Sequence, residues 1–157
     1  MIDQNDIQKI KEATLKFFQV ATIEPTKIEV VKDATSENGE VVNISLILNE
    51  PQILIGEKGQ TLFEIQRLLK IILNKKIQKI FYVNLDINEY KNKKTEYLKE
   101  IAKDLANEVA ITKQEKVLVP MSSYERRVVH AELSKRSDVI TESAGQGIER
   151  HIIIKSK

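Results

Sequence analysis

Two short stretches of this chain carry residue types that can do chemistry. In the first, Ile53-Leu54-Ile55-Gly56-Glu57-Lys58-Gly59-Gln60-Thr61-Leu62, two glycines flank two polar residues. Glycine lacks a Cβ, so its backbone takes positive φ and lets another chain lie close against it. A helix opening just after the loop would aim unpaired N–H groups, and the positive end of its dipole, at an anion. The chemistry this suits is a reversible grip on a sugar-phosphate strand along Gly56, Glu57, Lys58 and Gly59. Gln60 and Thr61 would donate to the strand's backbone or to a base edge. A tight helix–helix turn that needs glycine for steric reasons alone is the competing reading of these four residues. The second stretch is Tyr124-Glu125-Arg126-Arg127-Val128-Val129-His130. Arg126 and His130 stand four apart and share one face of a helix. A guanidinium can fork onto a phosphate, and an imidazole can hydrogen-bond or stack on a base. Tyr124, beside the arginine pair, is a stacking candidate. An exposed pair without a task, or a half-buried His130 that fixes a core, competes with that reading.

Composition removes other chemistries. The chain has no cysteine, so disulfides and thiolate metal sites are impossible, and its only histidines are His130 and His151. No metal or other cofactor is expected. Ser122 or Ser123 with Glu125 and His130 would bring hydrolysis to mind, but their spacing on one helix offers no nucleophile–base–orienter geometry. Neither a Walker motif nor a pair of acids flanking a cleft is present, so binding is expected rather than catalysis. Residues 1–90 carry 11 Lys/Arg against 13 Asp/Glu, and residues 91–157 carry 14 against 10. The second half is thus the better match for a polyanion. Apolar runs are far shorter than the ~18 residues of a membrane span. The start, Met1-Ile2-Asp3-Gln4-Asn5-Asp6, is acidic where a signal peptide is basic. A cytoplasmic protein is expected.

The elements that must position these residues follow from periodicity. Ile7, Ile10, Leu15 and Phe18 predict a helix over 5–20, with Asn5 or Asp6 as cap. Strands are expected over 27–33 and 41–48, joined through the turn signal Ser36-Glu37-Asn38-Gly39. Pro51 suits the first turn of a short helix, 51–55, that the glycine loop ends. Leu62, Ile65, Leu69 and Ile72 mark one face of a helix over 60–74, and a strand follows over 79–87. From Tyr90 a long helix is expected, opened by Lys91, Lys93 and Lys94 and striped by Leu98, Ile101, Leu105 and Val109. Its lysines stand where they oppose the helix dipole, which a nearby phosphate would relieve. Phe81, Tyr82, Tyr90 and Tyr97 have spacing suited to packing. A short strand at 117–119 ends at Pro120, and Ser122 or Ser123 caps a helix to about Ser134. Two more strands, near 138–143 and 150–155, flank Gly145-Gln146-Gly147.

Over residues 5–87 the order is helix, strand, strand, short helix, G-x-x-G, helix, strand. That order resembles a KH domain, whose loop clamps about four nucleotides of a single strand. The leading helix and strand are similar to its bacterial, type II form. The resemblance implies phosphate contact at Lys58, at a loop position pair that is often basic but here includes Glu57. It also implies base contact by apolar groove residues such as Ile55 and Leu62. Val119-Pro120-Met121-Ser122-Ser123-Tyr124-Glu125-Arg126-Arg127-Val128-Val129-His130, followed by Thr141-Glu142-Ser143-Ala144-Gly145 and a strand, resembles the R-three-H domain. That small α/β fold binds single-stranded nucleic acid. Matching its motif places the functional pair at Arg126 and His130, with Arg127 auxiliary. Together the two halves resemble the Jag family (also called KhpB or EloR) over roughly residues 5–155. The fold class implied is α+β: a type II KH domain over 1–89, then an R-three-H domain over 90–157. The family implies a cytoplasmic regulator that binds single-stranded RNA, or single-stranded DNA, and is connected with cell elongation and division. A second small KH protein is an implied partner. Longer relatives begin with a separate N-terminal domain and a charged linker, so a short form of the family is expected. An adaptor that uses the KH-like fold only to dimerise is the alternative.

Overall fold

The computed structural model describes residues 1–33 and 39–157. It is an α+β fold, and the chain divides into two compact units, Met1–Lys91 and Asn92–Lys157.

The first unit opens with α1, Gln4–Val20. Its cap is Asp3, one turn earlier than Asp6. Asp3 accepts the Asp6 N–H and Asp6 accepts the Asp3 N–H, so two acids close the box at the positive end of the helix. Asp6 is therefore the third residue of the helix, where its carboxylate also receives Lys79 Nζ at 2.5 Å. Strands β1 (Lys27–Asp33) and β2 (Val41–Ile47) pair antiparallel, from Lys27 opposite Ile47 to Asp33 opposite Val41. The turn signal between them falls, at 36–38, outside the described residues. β3, Tyr82–Ile87, lies parallel to β2, giving the order β1-β2-β3. A parallel pair needs a crossover. Here the crossover consists of α2 (Gln52–Ile55), a 3-10 turn at Glu57–Gly59 and α3 (Gln60–Ile77).

Burial explains that arrangement and corrects details of the sequence pattern. Ile10, Phe18, Ile44, Leu69, Leu73, Leu85 and Ile87 are fully buried, each contributing about 2 kcal/mol of hydrophobic stabilisation. On α3 the core face is Leu62, Leu69 and Leu73, while Ile72 is exposed. The helix continues to Ile77, and its packing against the sheet buries Leu73 in place of Ile72. β3 begins at Tyr82, where its pairing with β2 starts opposite Val41; before it, Lys79 donates to Asp6 and the Met1 carbonyl, and Ile80 is exposed. Phe81 is core as expected, but Tyr82 is half exposed, with Lys70 Nζ 4.3 Å from its ring centre.

Helix α4, Tyr90–Thr112, begins in the first unit and supplies the first element of the second. Its buried face is Leu98, Ala102, Ala106 and Val109, not Leu98, Ile101, Leu105 and Val109. The two alanines cluster with Val129, Leu133, Ile152 and Ile154. Small side chains suit the closest part of such a contact, and the larger Leu105 packs at its margin. Tyr97 is exposed. β4 (Lys116–Val117), β5 (Val139–Ala144) and β6 (His151–Ser156) form an antiparallel sheet ordered β4-β6-β5. α5, Ser123–Leu133, buries Val129 and Leu133 in the same cluster.

Candidate nucleic-acid interface

At the end of α2 the Gly56 N–H still bonds to Gln52 O at 2.9 Å, and the chain then turns sharply. Gly56 has φ 70 and ψ −174, a conformation that is nearly exclusive to glycine. A Cβ there would lie 2.0 Å from Thr61 Oγ1 and 2.6 Å from Thr61 Cβ. Lys58 (φ 51) and Gly59 (φ 87) are both left-handed. A Cβ on Gly59 would lie 2.8 Å from the Tyr90 ring. Each glycine thus has a steric reason to be there, with Thr61 packed on one and Tyr90 on the other. Gly59 is also the cap position of α3 and has no side chain to offer. The first amides of that 18-residue helix are left at the positive end of its dipole.

The residues around the loop divide into two groups. Glu57 and Lys58 are exposed, as is Gln60, whose amide nitrogen donates to Glu64 Oε1 at 3.2 Å. Thr61 is half buried behind Gly56 and so lies under the loop. Leu62, expected to touch bases, is only 2% exposed and belongs to the core; Ile55 is half buried against the same core. The helical register explains the difference, because Leu62 begins the row that continues at Leu69 and Leu73.

In the second unit, Ser122 caps α5. Its Oγ accepts the Glu125 N–H at 3.3 Å, and its own N–H donates to Glu125 Oε2 at 2.7 Å. Burial alone would raise the pKa of Glu125. Hydrogen bonds from Lys94, 2.5 Å away, and from Ser122 outweigh it and hold the carboxyl below its ordinary value. Arg126 reaches back over this first turn, donating to Met121 O at 2.7 Å and Ser123 Oγ at 3.1 Å. One turn on, His130 spans to β5, with Nδ1 2.6 Å from Thr141 Oγ1 and Nε2 2.9 Å from Ser143 Oγ. Thr141 and Ser143 are two apart on a strand and share a face, which matches the width of an imidazole. Burial, then the neighbouring Arg126 charge, pushes the His130 pKa below its usual 6.5. Tyr124 and Arg127 are exposed on the same helix.

The structure therefore gathers Gly56–Gly59 and Gln60 at one end of α3, and Arg126 and His130 along α5. Ser122, Ser123 and Glu125 are engaged in capping and in holding Arg126, and His130 contacts neither serine. Sequence reasoning passed over Thr141 and Ser143 as the partners of His130. Their alternation on a strand opposite an R-x-x-x-H helix was the available signal. The lysines at the start of α4 also have protein partners. Lys91 Nζ meets Gln66 and Asn84, and Lys94 meets Glu125. Among the described residues no group of His, Asp and Glu could hold a metal ion, and no helix is long and apolar enough to cross a membrane.

A capped helix whose arginine holds its own first turn and whose histidine is tied to a three-stranded antiparallel sheet defines the class of the second unit. Residues 96–156 match the R-three-H domain family. Over most of its length the chain is similar to proteins named RNA-binding protein KhpB. That of Clostridium symbiosum is 33% identical over 160 residues, covering 94% of this chain and 72% of the relative. That of Bacillus subtilis (strain 168) is 31% identical, covering 96% and 72%. That of Streptococcus pneumoniae serotype 2 is 26% identical, covering 99% and 52%. This chain belongs to the KhpB (Jag) family.

Proposed function

We propose that this protein binds single-stranded RNA without catalysing a reaction on it, using a type II KH domain over 1–89 and the R-three-H domain over 90–157. The observation that carries the reading is the Gly56–Gly59 loop. Its backbone is bare of Cβ atoms at both ends, and it opens onto the positive end of α3. A phosphate seated there would receive backbone amides, with Lys58 adding charge. Arg126 and His130, with Tyr124 and Arg127 beside them, form the second contact region. Two weak sites on one chain raise overall affinity through effective concentration, without any new contact. The names of the relatives support RNA as the ligand, with single-stranded DNA as the competitor to measure against it. The family resemblance further supports a role in regulating cell elongation and division, with a second small KH protein as partner. Altered cell length on loss of the gene is the test of that role.

The binding test is fluorescence anisotropy of a short random-sequence RNA at several salt concentrations, comparing wild type with Lys58→Asp. The double-acid loop should weaken binding by about tenfold, since it replaces a favourable charge near phosphate with a repelling one. Equal affinity would remove the loop from the interface. A second reading, the protein-binding adaptor, is favoured by the groove between α1 and α3. There Phe17, Val20, Ala21 and Ile72 form an apolar floor, with Lys16 and Lys76 at its sides. Absence of RNA binding even at low salt would transfer the proposal to that groove.

A further inference from the structure

The outer edge of β3 is closed by side chains rather than by another strand. Gln66, on α3, accepts the Leu85 backbone N–H at 3.0 Å through Oε1. The same oxygen accepts from Lys91 Nζ at 2.8 Å, and that ammonium donates again to Asn84 Oδ1 at 2.6 Å. Asn84 Nδ2 then donates to Asn43 Oδ1 at 2.9 Å, on the neighbouring strand where the two asparagines are register partners. A backbone N–H and an ammonium only donate, so these bonds determine which way each amide points. Every amide oxygen in the row is engaged within the protein. What remains is N–H: among the described residues, Gln66 Nε2 and Asn43 Nδ2 donate to no acceptor.

The row also lies close to the glycine loop. Lys91 follows Tyr90, whose ring lies against Gly59. Gln66 is seven residues along α3 from that glycine, roughly 10 Å at 1.5 Å per residue. A strand held by its phosphates at Gly56–Gly59 would bring its following bases over these groups.

We propose that Gln66, assisted by Asn43, is a specificity-determining residue that favours the keto bases, uracil and guanine, over the amino bases, cytosine and adenine. The inference rests on the RNA-binding reading above and names the ligand class of that same site. Uracil presents O4 where cytosine presents an amino group, and guanine presents O6 where adenine does. Opposite a donor, a carbonyl gains a hydrogen bond. An amino group sets donor against donor and leaves both unpaired.

The experiment compares anisotropy binding of ten-nucleotide oligouridylate and oligocytidylate, ligands of equal charge and nearly equal size. Wild type should prefer uridylate by about fivefold, the value of one neutral hydrogen bond exchanged with water. Gln66→Glu keeps an oxygen for Leu85 and Lys91 but replaces the free N–H by an acceptor. Its added charge weakens both ligands alike, while the ratio should fall to unity or below. Asn43→Asp, on the exposed sheet face, should lower the ratio by a smaller factor and serves as the second variant if Gln66→Glu melts early. Binding of both oligonucleotides by wild type with equal affinity overturns this inference and leaves the RNA-binding reading standing. A ratio unchanged in both folded variants also overturns it. Failure of wild type to bind either one overturns the RNA-binding reading, and this inference with it.

Discussion

The Gly56–Gly59 loop and the Arg126–His130 helix are both proposed to meet RNA, yet they are built by opposite means. The loop works by omission: two missing Cβ atoms leave backbone amides bare, and what packs behind them, Thr61 and Tyr90, fills the space a side chain would need. The helix works by its side chains, and those of Arg126 and His130 already hold hydrogen bonds within the fold. Arg126 holds the turn before α5, and His130 holds β5. A backbone site of this kind is prepared by folding and costs little to expose. A side-chain site of the second kind must share its hydrogen bonds between the fold and a ligand.

The largest effect that would break this contrast is expected at Gly56. Gly56→Ala combines a glycine-only backbone conformation with a side-chain contact at 2.0 Å, and should cost the first unit about 3 kcal/mol in urea unfolding. A loss below about 0.5 kcal/mol would mean that Thr61 moves aside freely, so the loop is not prepared by its packing. Next is His130→Ala, which strips two contacts from β5 and leaves two half-buried hydroxyls. The expected loss is about 1.5 kcal/mol, read from amide exchange in β5 and β6. If exchange there stays at the wild-type rate, His130 is available to a ligand in the way the loop is, and the contrast dissolves.

The smallest effect sharpens the comparison through pH. The folded-state pKa of His130 lies below its unfolded value of 6.5, so the unfolded chain takes up the proton first. Its contribution to stability is fully present above pH 6.5 and is lost as pH falls through the folded pKa. The second unit should therefore soften on acidification from about pH 7 toward 5, more in wild type than in His130→Ala. The loop, which has no titrating histidine, should show no such dependence. Parallel pH profiles for wild type and variant would remove His130 as the cause.

Much of this organisation was legible in the sequence because it depends on near neighbours. The element order of the first unit, a serine cap at Ser122 or Ser123 for α5, and the break of α2 at Gly56 all follow from residues within one helical turn. The errors have a common origin in distance. Asp3 and Asp6 are both acceptable caps locally, and the final arrangement includes Lys79, more than seventy residues away. Ile72 and Leu73 are equally apolar, so only the packing of α3 against the sheet shows which one is buried. Leu62 looked available to a base because it borders the loop, yet the core claims it. On α4 the larger Ile101 and Leu105 carry the apolar stripe in the sequence, while contact with α5 and β6 selects Ala102 and Ala106.

By itself the sequence determined where the backbone would be bare and that a serine would open α5, since glycine's missing Cβ and a capping serine act within a few bonds. The tertiary structure alone decided what each polar side chain would face. Gln66 finds Leu85 and Lys91, and His130 finds Thr141 and Ser143, because sheet pairing and helix packing carry those groups within 3.0 Å. Hydrogen bonds are that short in range and that dependent on angle. Their partners, and with them the donor character of the β3 edge, come into being only once the strands are aligned.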